Sequence, residues 1–259
     1  MASRKRTKRA FPKISKRRIP LLFILLPLIV LTVLFTQQKQ NISQYAAENV
    51  LLDDNFEAYS LENWTEGITN GNWKTEFNGY GKAGIETDET NVLYEKPKVS
   101  LATTETHASL ITSTRSFKDL DLSLRMKTVS QLRTPTPNPW ETAWVFWNYE
   151  DNTHFYYLAL KTNGWELGKE DPKYPGNQRF LVTGSTPVFQ VGTWYDIRVT
   201  QQANIIRILV NGNTLTSFID NERPYLSGKI GLYNEDAHVR FDNIIVKGIT
   251  APLIPHHTK

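Results

Sequence analysis

Cysteine is absent from all 259 residues. That excludes a disulfide framework, a thiolate-held zinc and a thiol nucleophile. Helical periodicity is also missing. After residue 50 no stretch keeps an apolar 3.6-residue period over twelve residues, which argues against a helical bundle. No phosphate loop, HExxH motif or Ser/His/Asp ordering occurs, so three common catalytic signatures are gone. Acidic residues are lacking from residues 1–18, which hold nine of the 30 Lys and Arg. Residues 19–259 then carry 21 basic and 26 acidic side chains, a net of −5. The basic pI of 9.1 therefore belongs to a tail, and no nucleic-acid partner is expected.

What is present early is one long apolar run. Ile19 to Phe35 are 17 residues without charge, reaching about 26 Å as a helix, near the lower limit for a bilayer. Thr36 extends it slightly. Pro20 falls in the first turn, where a missing N–H is harmless, and a kink at Pro27 is tolerated in lipid. The basic flank places the N-terminus in the cytoplasm and the rest of the chain outside it. The run exceeds a signal-peptide core, and the nearest small-residue pair, Ala46-Ala47, lies eleven residues beyond Phe35. The expected organisation is a cytoplasmic tail (1–18), a transmembrane helix (19–36), a polar stalk (37–50), one domain (51–249) and a flexible end (250–259). A cysteine-free exported domain fits a prokaryotic cell surface. Asn41 and Asn63 head the sequons Asn-Ile-Ser and Asn-Trp-Thr.

The domain reads as all-β. Leu120, Leu122, Leu124 and Met126 alternate with polar residues, as do Tyr195, Ile197 and Val199, then Ile206, Ile208 and Val210. Asn211-Gly212 marks a two-residue hairpin. Many short strands with turn residues between them predict an antiparallel sandwich. Thr142–Tyr149 and Phe155–Lys161 form two central strands, and an Asn163-Gly164 turn brings Trp165–Glu170 back. In that register Lys161 faces Glu166, Ala159 faces Gly168 and Tyr157 faces Glu170. Leu158, Leu160, Trp165 and Leu167 then point to the core. The other face has a low Ala159/Gly168 floor between a Tyr/Glu pair and a Lys/Glu pair. It reads equally as a groove or as a solvated sheet face.

Four later segments carry a resemblance: Gly192-Thr-Trp-Tyr-Asp-Ile-Arg-Val-Thr, Ile206-Arg-Ile-Leu-Val-Asn-Gly, Gly228-Lys-Ile-Gly-Leu-Tyr and Val239-Arg-Phe-Asp-Asn-Ile-Ile-Val. With Trp144 to Tyr157, Gly164 to Lys169 and the opening Asp53-Asp-Asn-Phe-Glu, they resemble concanavalin A-like jelly-roll domains over about Leu52 to Lys247. The nearest resemblance is to 3-keto-disaccharide-hydrolase-type and laminin-G-like domains. It implies a jelly roll with a carbohydrate-facing concave sheet. On that template Trp147, Tyr157 and Glu170 share the concave face, Glu166 and Lys161 lie at a rim, and Trp140 overhangs. Trp144, Phe146 and Trp165 are expected in the core.

Catalysis is the harder inference. Glu166 and Glu170 lie four residues apart on one strand, about 13 Å. Glycosidic carboxyl pairs stand about 5–5.5 Å or 6.5–9.5 Å apart. Glu170 therefore needs Glu141 or Glu150 as its partner, and the Glu-x-Asp-x-Glu pattern of related β-glucanases is absent. A lyase would draw on His154, Tyr157 or Lys161. The resemblance also implies Ca²⁺ held by Asp53 or Asp54 with Asp242. Three functions are expected: a membrane-anchored module binding a glycan, a saccharide hydrolase or lyase on the same fold, or a laminin-G-like adhesion module.

Overall fold

The computed structural model describes residues 49–102 and 104–249. The expected tail, transmembrane run and flexible end, and residues 37–48 of the stalk, lie outside the described residues, and Val50 already belongs to the first strand. The strands, in chain order, are β1 (Val50–Asp54), β2 (Thr69–Asn70), β3 (Trp73–Phe77), β4 (Lys82–Asp88), β5 (Thr90–Lys96), β6 (Ala108–Lys118), β7 (Leu120–Gln131) and β8 (Ala143–Asp151). They continue as β9 (His154–Lys161), β10 (Gly164–Glu170), β11 (Gln178–Gly184), β12 (Trp194–Gln202), β13 (Ile205–Val210), β14 (Asn213–Ile219), β15 (Ser227–Glu235) and β16 (Ala237–Gly248).

They form two antiparallel sheets, as the alternation predicts. One runs β14-β13-β12-β7-β16-β5-β4, with β1 also paired to β16. The second runs β11-β10-β9-β8-β15-β6-β3-β2. Period-two alternation explains the sandwich: every second residue of β7 and β13 is buried between the sheets. The shared core takes Leu122, Leu124, Ile197, Ile208 and Phe241 from the first sheet. From the second it takes Val145, Trp147, Leu158, Leu160, Trp165 and Leu167. Asn211 and Gly212, both at positive φ, make the β13–β14 hairpin turn as expected.

Two features of the second sheet differ from expectation. The β9–β10 loop is Thr162-Asn163, with Gly164 opening β10 at φ 141°. The register is therefore Ala159↔Glu166 and Tyr157↔Gly168. Each residue's partner moves by two positions, an even number, so the faces are unchanged. The parity of β8, by contrast, is reversed. Trp147 is fully buried in the intersheet core, and its indole Nε1 donates to Gln201 Oε1 at 2.7 Å. Trp144 and Phe146 point the other way, into a second apolar cluster on the outer face. A register shift after Trp147, with Asn148 at φ 50°, turns Asn148 inward as well, and Tyr149 regains the outer face.

Candidate functional site

The outer face of the second sheet carries a groove. Its floor is aromatic: Trp144 and Phe146 of β8, Phe155 and Tyr157 of β9 and Tyr233 of β15. Trp144 stacks on Tyr157 at 5.0 Å, and Phe146 on Phe155 at 4.2 Å and on Tyr233 at 4.7 Å. Gly168 makes this packing possible. A Cβ there would lie 2.3 Å from Cζ and from the hydroxyl of Tyr157. The ring thus leans across β10, and its hydroxyl accepts a hydrogen bond from Gln178 Nε2 of β11 at 2.9 Å. The expected low floor at Ala159 and Gly168 is in this way filled by Tyr157.

Two cavities open above this floor. The inner one, about 330 Å³, is lined by Phe146, Phe155, Tyr157, Glu170, Gln178 and Glu235, among others. The outer one, about 410 Å³, is lined by Trp140, Trp144, Lys161, Glu166, Gln178, Phe180 and Glu235. Trp144, Gln178 and Glu235 line both.

The inner cavity has unusual electrostatics. Burial, followed by repulsion from Glu235, pushes Glu170 up to about 7. Glu235 is also raised, mainly by burial, although Tyr233 donates its hydroxyl hydrogen to the Glu235 carboxylate at 2.8 Å. Burial and the Glu166 charge raise the Tyr157 phenol well above its ordinary value. The inner cavity thus brings together two carboxyls raised by burial, with hydroxyl and amide groups over an apolar base.

The expected site residues divide. Tyr157 and Glu170 meet in the inner cavity; Trp140, Lys161 and Glu166 line the outer one. The Lys161 ammonium and Glu166 carboxylate pair at 2.7 Å. Trp147 is excluded, because it is core. Glu141 is excluded as a partner of Glu170: it is buried beneath Arg133, whose Nε reaches it at 2.6 Å, and Asn138 Nδ2 donates to the same oxygen at 2.8 Å. Glu150 is exposed next to the β8–β9 turn. His154 sits at that turn, 3.0 Å from Asp151.

The acids expected to hold calcium do not fit a cation. Asp54 accepts hydrogen bonds from Phe56 N, the Tyr59 hydroxyl, Asn72 Nδ2 and Trp73 Nε1. Those donors consume its oxygens in fixing the turn after β1. Asp53 is exposed, and Asp242 accepts from Asn243 N at 2.7 Å. No group of three or more His, Asp or Glu gathers among the described residues to hold a metal ion.

Sequence reasoning missed Glu235 and Gln178. The first follows an alternation that was readable: Ile230 and Leu232 point inward, so Tyr233 and Glu235 point outward. Gln178 lies on β11, a strand with little apolar contrast.

Solved structures share the sandwich. A carbohydrate binding module, CBM66 from Bacillus subtilis, superposes with a TM-score of 0.51 at 15% identity, covering 68% of this chain and 96% of its own. A Bacillus subtilis protein of unknown function with a galectin-like fold gives 0.53 at 11% identity, over 77% and 96%. A sialidase gives 0.52 at 11% identity, over 78% of this chain and 19% of its own. At these identities the likeness shows the two-sheet jelly-roll fold and no more. No curated protein sequence matches the chain. The 3-keto-alpha-glucoside-1,2-lyase-like domain profile matches residues 50–247, nearly the whole described region, and the chain belongs to that family.

Proposed function

We propose that this protein binds a saccharide in the groove of the second sheet, with the inner cavity as the principal site. The observation that carries this reading is the inner cavity itself. A cavity of about 330 Å³ with apolar walls has Glu170, Glu235, Gln178 and the Tyr157 hydroxyl converging on it. Sugars present apolar C–H faces and hydroxyls together, and such a lining meets both. The fold shared with a carbohydrate binding module supports the reading. A glycan array probed with the full chain tests it. Retention of at least one neutral glycan, lost in Glu170→Ala and Tyr157→Ala, is expected; an empty array contradicts it.

A second reading is catalytic, and Glu170 favours it. A 1,2-elimination from a 3-keto glucoside needs a base for the C2 proton, acidified by the adjacent carbonyl, and an acid for the departing oxygen. A carboxyl titrating at about 7 is matched to proton transfer near neutral pH. Glu235 is the second acid within the same cavity. Incubating the full chain with a 3-keto disaccharide tests this. Release of the aglycone sugar that disappears in Glu170→Gln supports it, and release unchanged by that variant removes Glu170 from the mechanism.

We also propose that residues 19–36 anchor the protein in a membrane with the groove displayed outside the cytoplasm. The charge-free run and its basic flank support this. Resistance of the full chain to alkaline carbonate extraction is the expected result, and release into the supernatant contradicts it.

A further inference from the structure

Lys169 takes no part in the groove. It follows Trp165 and Leu167 on the inward face of β10, so its side chain enters the layer between the sheets. There it is fully buried, and Asp220, which follows β14 of the first sheet, is buried beside it. The Lys169 Nζ stands 2.7 Å from Asp220 Oδ2. Other lysine–carboxylate pairs of the described residues are wetter: Lys74, Lys127, Lys161 and Lys229 keep between 15% and 38% of their side chains exposed.

The surroundings of the pair do more than neutralise it. Each oxygen of Asp220 has a donor besides the lysine. The Tyr156 hydroxyl donates to Oδ2 at 2.6 Å, and Glu222 N donates to Oδ1 at 2.9 Å. The Tyr156 hydroxyl oxygen accepts from Tyr225 N at 3.2 Å, which directs its hydrogen to Asp220. Donors fixed on a carboxyl draw charge from Cγ and hold the oxyanion that forms when a nucleophile adds there. A second buried carboxylate, Asp171, paired with Arg223, lies 4.0 Å from Nζ. The rings of Tyr156 and Tyr225 flank Nζ at 5.7 and 5.1 Å. Both backbones are pinned: Lys169 pairs with Tyr156 and Arg179 in the sheet, and Asp220 N donates to Asn204 O at 2.9 Å. Reactants held in such geometry reach effective concentrations of about 10⁵–10⁸ M in well-oriented cases. Burying an ion pair also costs a desolvation that a neutral amide avoids.

We propose that Lys169 and Asp220 condense to an intramolecular amide that ties the two sheets together. Asp171 carries one ammonium proton to Asp220 Oδ1, which gives a neutral amine and a carboxylic acid. The Nζ lone pair then bonds to Cγ, and the carbonyl electrons move onto Oδ2, held by the Tyr156 hydroxyl. A second Nζ proton passes through Asp171 to Oδ1. The Cγ–Oδ1 bond breaks, the carbonyl at Oδ2 reforms and water leaves. Asp171 ends as the carboxylate it began as, and the remaining Nζ hydrogen faces Glu222 O, 2.6 Å from Nζ. The bridge joins residues 51 positions apart in a chain without cysteine, where no disulfide can serve.

Intact-mass measurement of the purified full chain tests this. The expected mass is one water below that of the sequence. Trypsin should then release residues 162–173 and 208–229 as one branched peptide, because an acylated lysine is not cleaved. Lys169→Arg and Asp220→Ala should each show their full sequence masses, whether or not they fold, which excludes water loss at another residue. Asp171→Asn should slow the condensation, so that chain of full mass persists beside condensed chain. A native chain at its full sequence mass, with residues 162–169 and 208–229 recovered as separate linear peptides, overturns the proposal. So does a water loss that persists in Lys169→Arg. Condensation of Asp171→Asn at the native rate overturns the proton transfer through Asp171.

Discussion

Gly168→Ala puts the whole floor of the groove under test. The added Cβ would sit 2.3 Å from Cζ and from the hydroxyl oxygen of Tyr157, and 2.6 Å from Cε1. Tyr157 can yield only toward the inner cavity. Its ring is fully buried, stacked on Trp144 at 5.0 Å, and its hydroxyl is tied to Gln178 at 2.9 Å. Forcing it aside is an overpacking defect of about 1–3 kcal/mol. Losing the Gln178 hydrogen bond adds about 1 kcal/mol. Alanine recovers about 0.5–1 kcal/mol through reduced chain entropy in a strand. The net expectation is a loss of about 1–3 kcal/mol, read from urea unfolding midpoints. A double-mutant cycle isolates the cause. In a Tyr157→Leu background the clash partner is gone, and Gly168→Ala should be neutral or slightly stabilising. Saccharide binding should weaken in Gly168→Ala alone, because the displaced ring enters the inner cavity. A variant as stable as the native chain would refute the packing argument. So would an equal loss in both backgrounds.

Three further outcomes follow from the same geometry. Glu170 titrates at about 7 when folded, against an ordinary 4.5, so the folded chain retains a proton that the unfolded chain has released between those values. Its contribution to stability is fully present below about pH 4.5 and is lost as pH rises through 7. Glu170→Gln should therefore flatten the fall in urea midpoint across pH 4.5–7, and an unchanged slope would contradict the assignment. Trp147→Ala removes a fully buried side chain, with an expected loss of about 3–5 kcal/mol in urea and no selective loss of ligand. Lys169, fully buried, pairs with Asp220 at 2.7 Å and donates to Glu222 O at 2.6 Å. Lys169→Met strands the Asp220 charge and should cost about 3–5 kcal/mol, with protease sensitivity appearing at residues 219–226.

Much of the fold was legible because its strands carry contrast. Leu120 to Met126 and Ile206 to Val210 alternate apolar with polar residues, and a sheet with one wet face has a single way to satisfy that. The outer placement of Tyr157 and Ala159 was legible for the same reason: Leu158, Leu160 and Leu167 had to point inward. The partners across the β9–β10 hairpin were not. Asn163-Gly164 looks like a two-residue turn, yet the chain uses Gly164 at φ 141° as the first residue of β10. The faces survived because the pairing shifted by two residues, an even number.

The parity of β8 was illegible for a different reason. Trp144-Val-Phe-Trp147 has no polar residue to break the tie, and a one-residue error exchanges every side chain between core and surface. The bulge at Asn148, which turns two successive residues inward, has no sequence signal beyond an asparagine tolerant of positive φ. The roles of Glu141 and Asp54 were equally hidden. An acid buried against Arg133, or one collecting four donors after a first strand, looks in sequence like any acid near an aromatic.

The tryptophans provide the most direct test of the groove. All seven can be labelled with 5-fluorotryptophan in the full chain, and each fluorine reports its own surroundings. Titration with a retained glycan should move the Trp144 resonance, which lines both cavities, and should leave Trp73 and Trp147, sealed between the sheets, in place. Movement of Trp194 on the opposite sheet with Trp144 stationary would contradict the account, as would a spectrum that no saccharide changes.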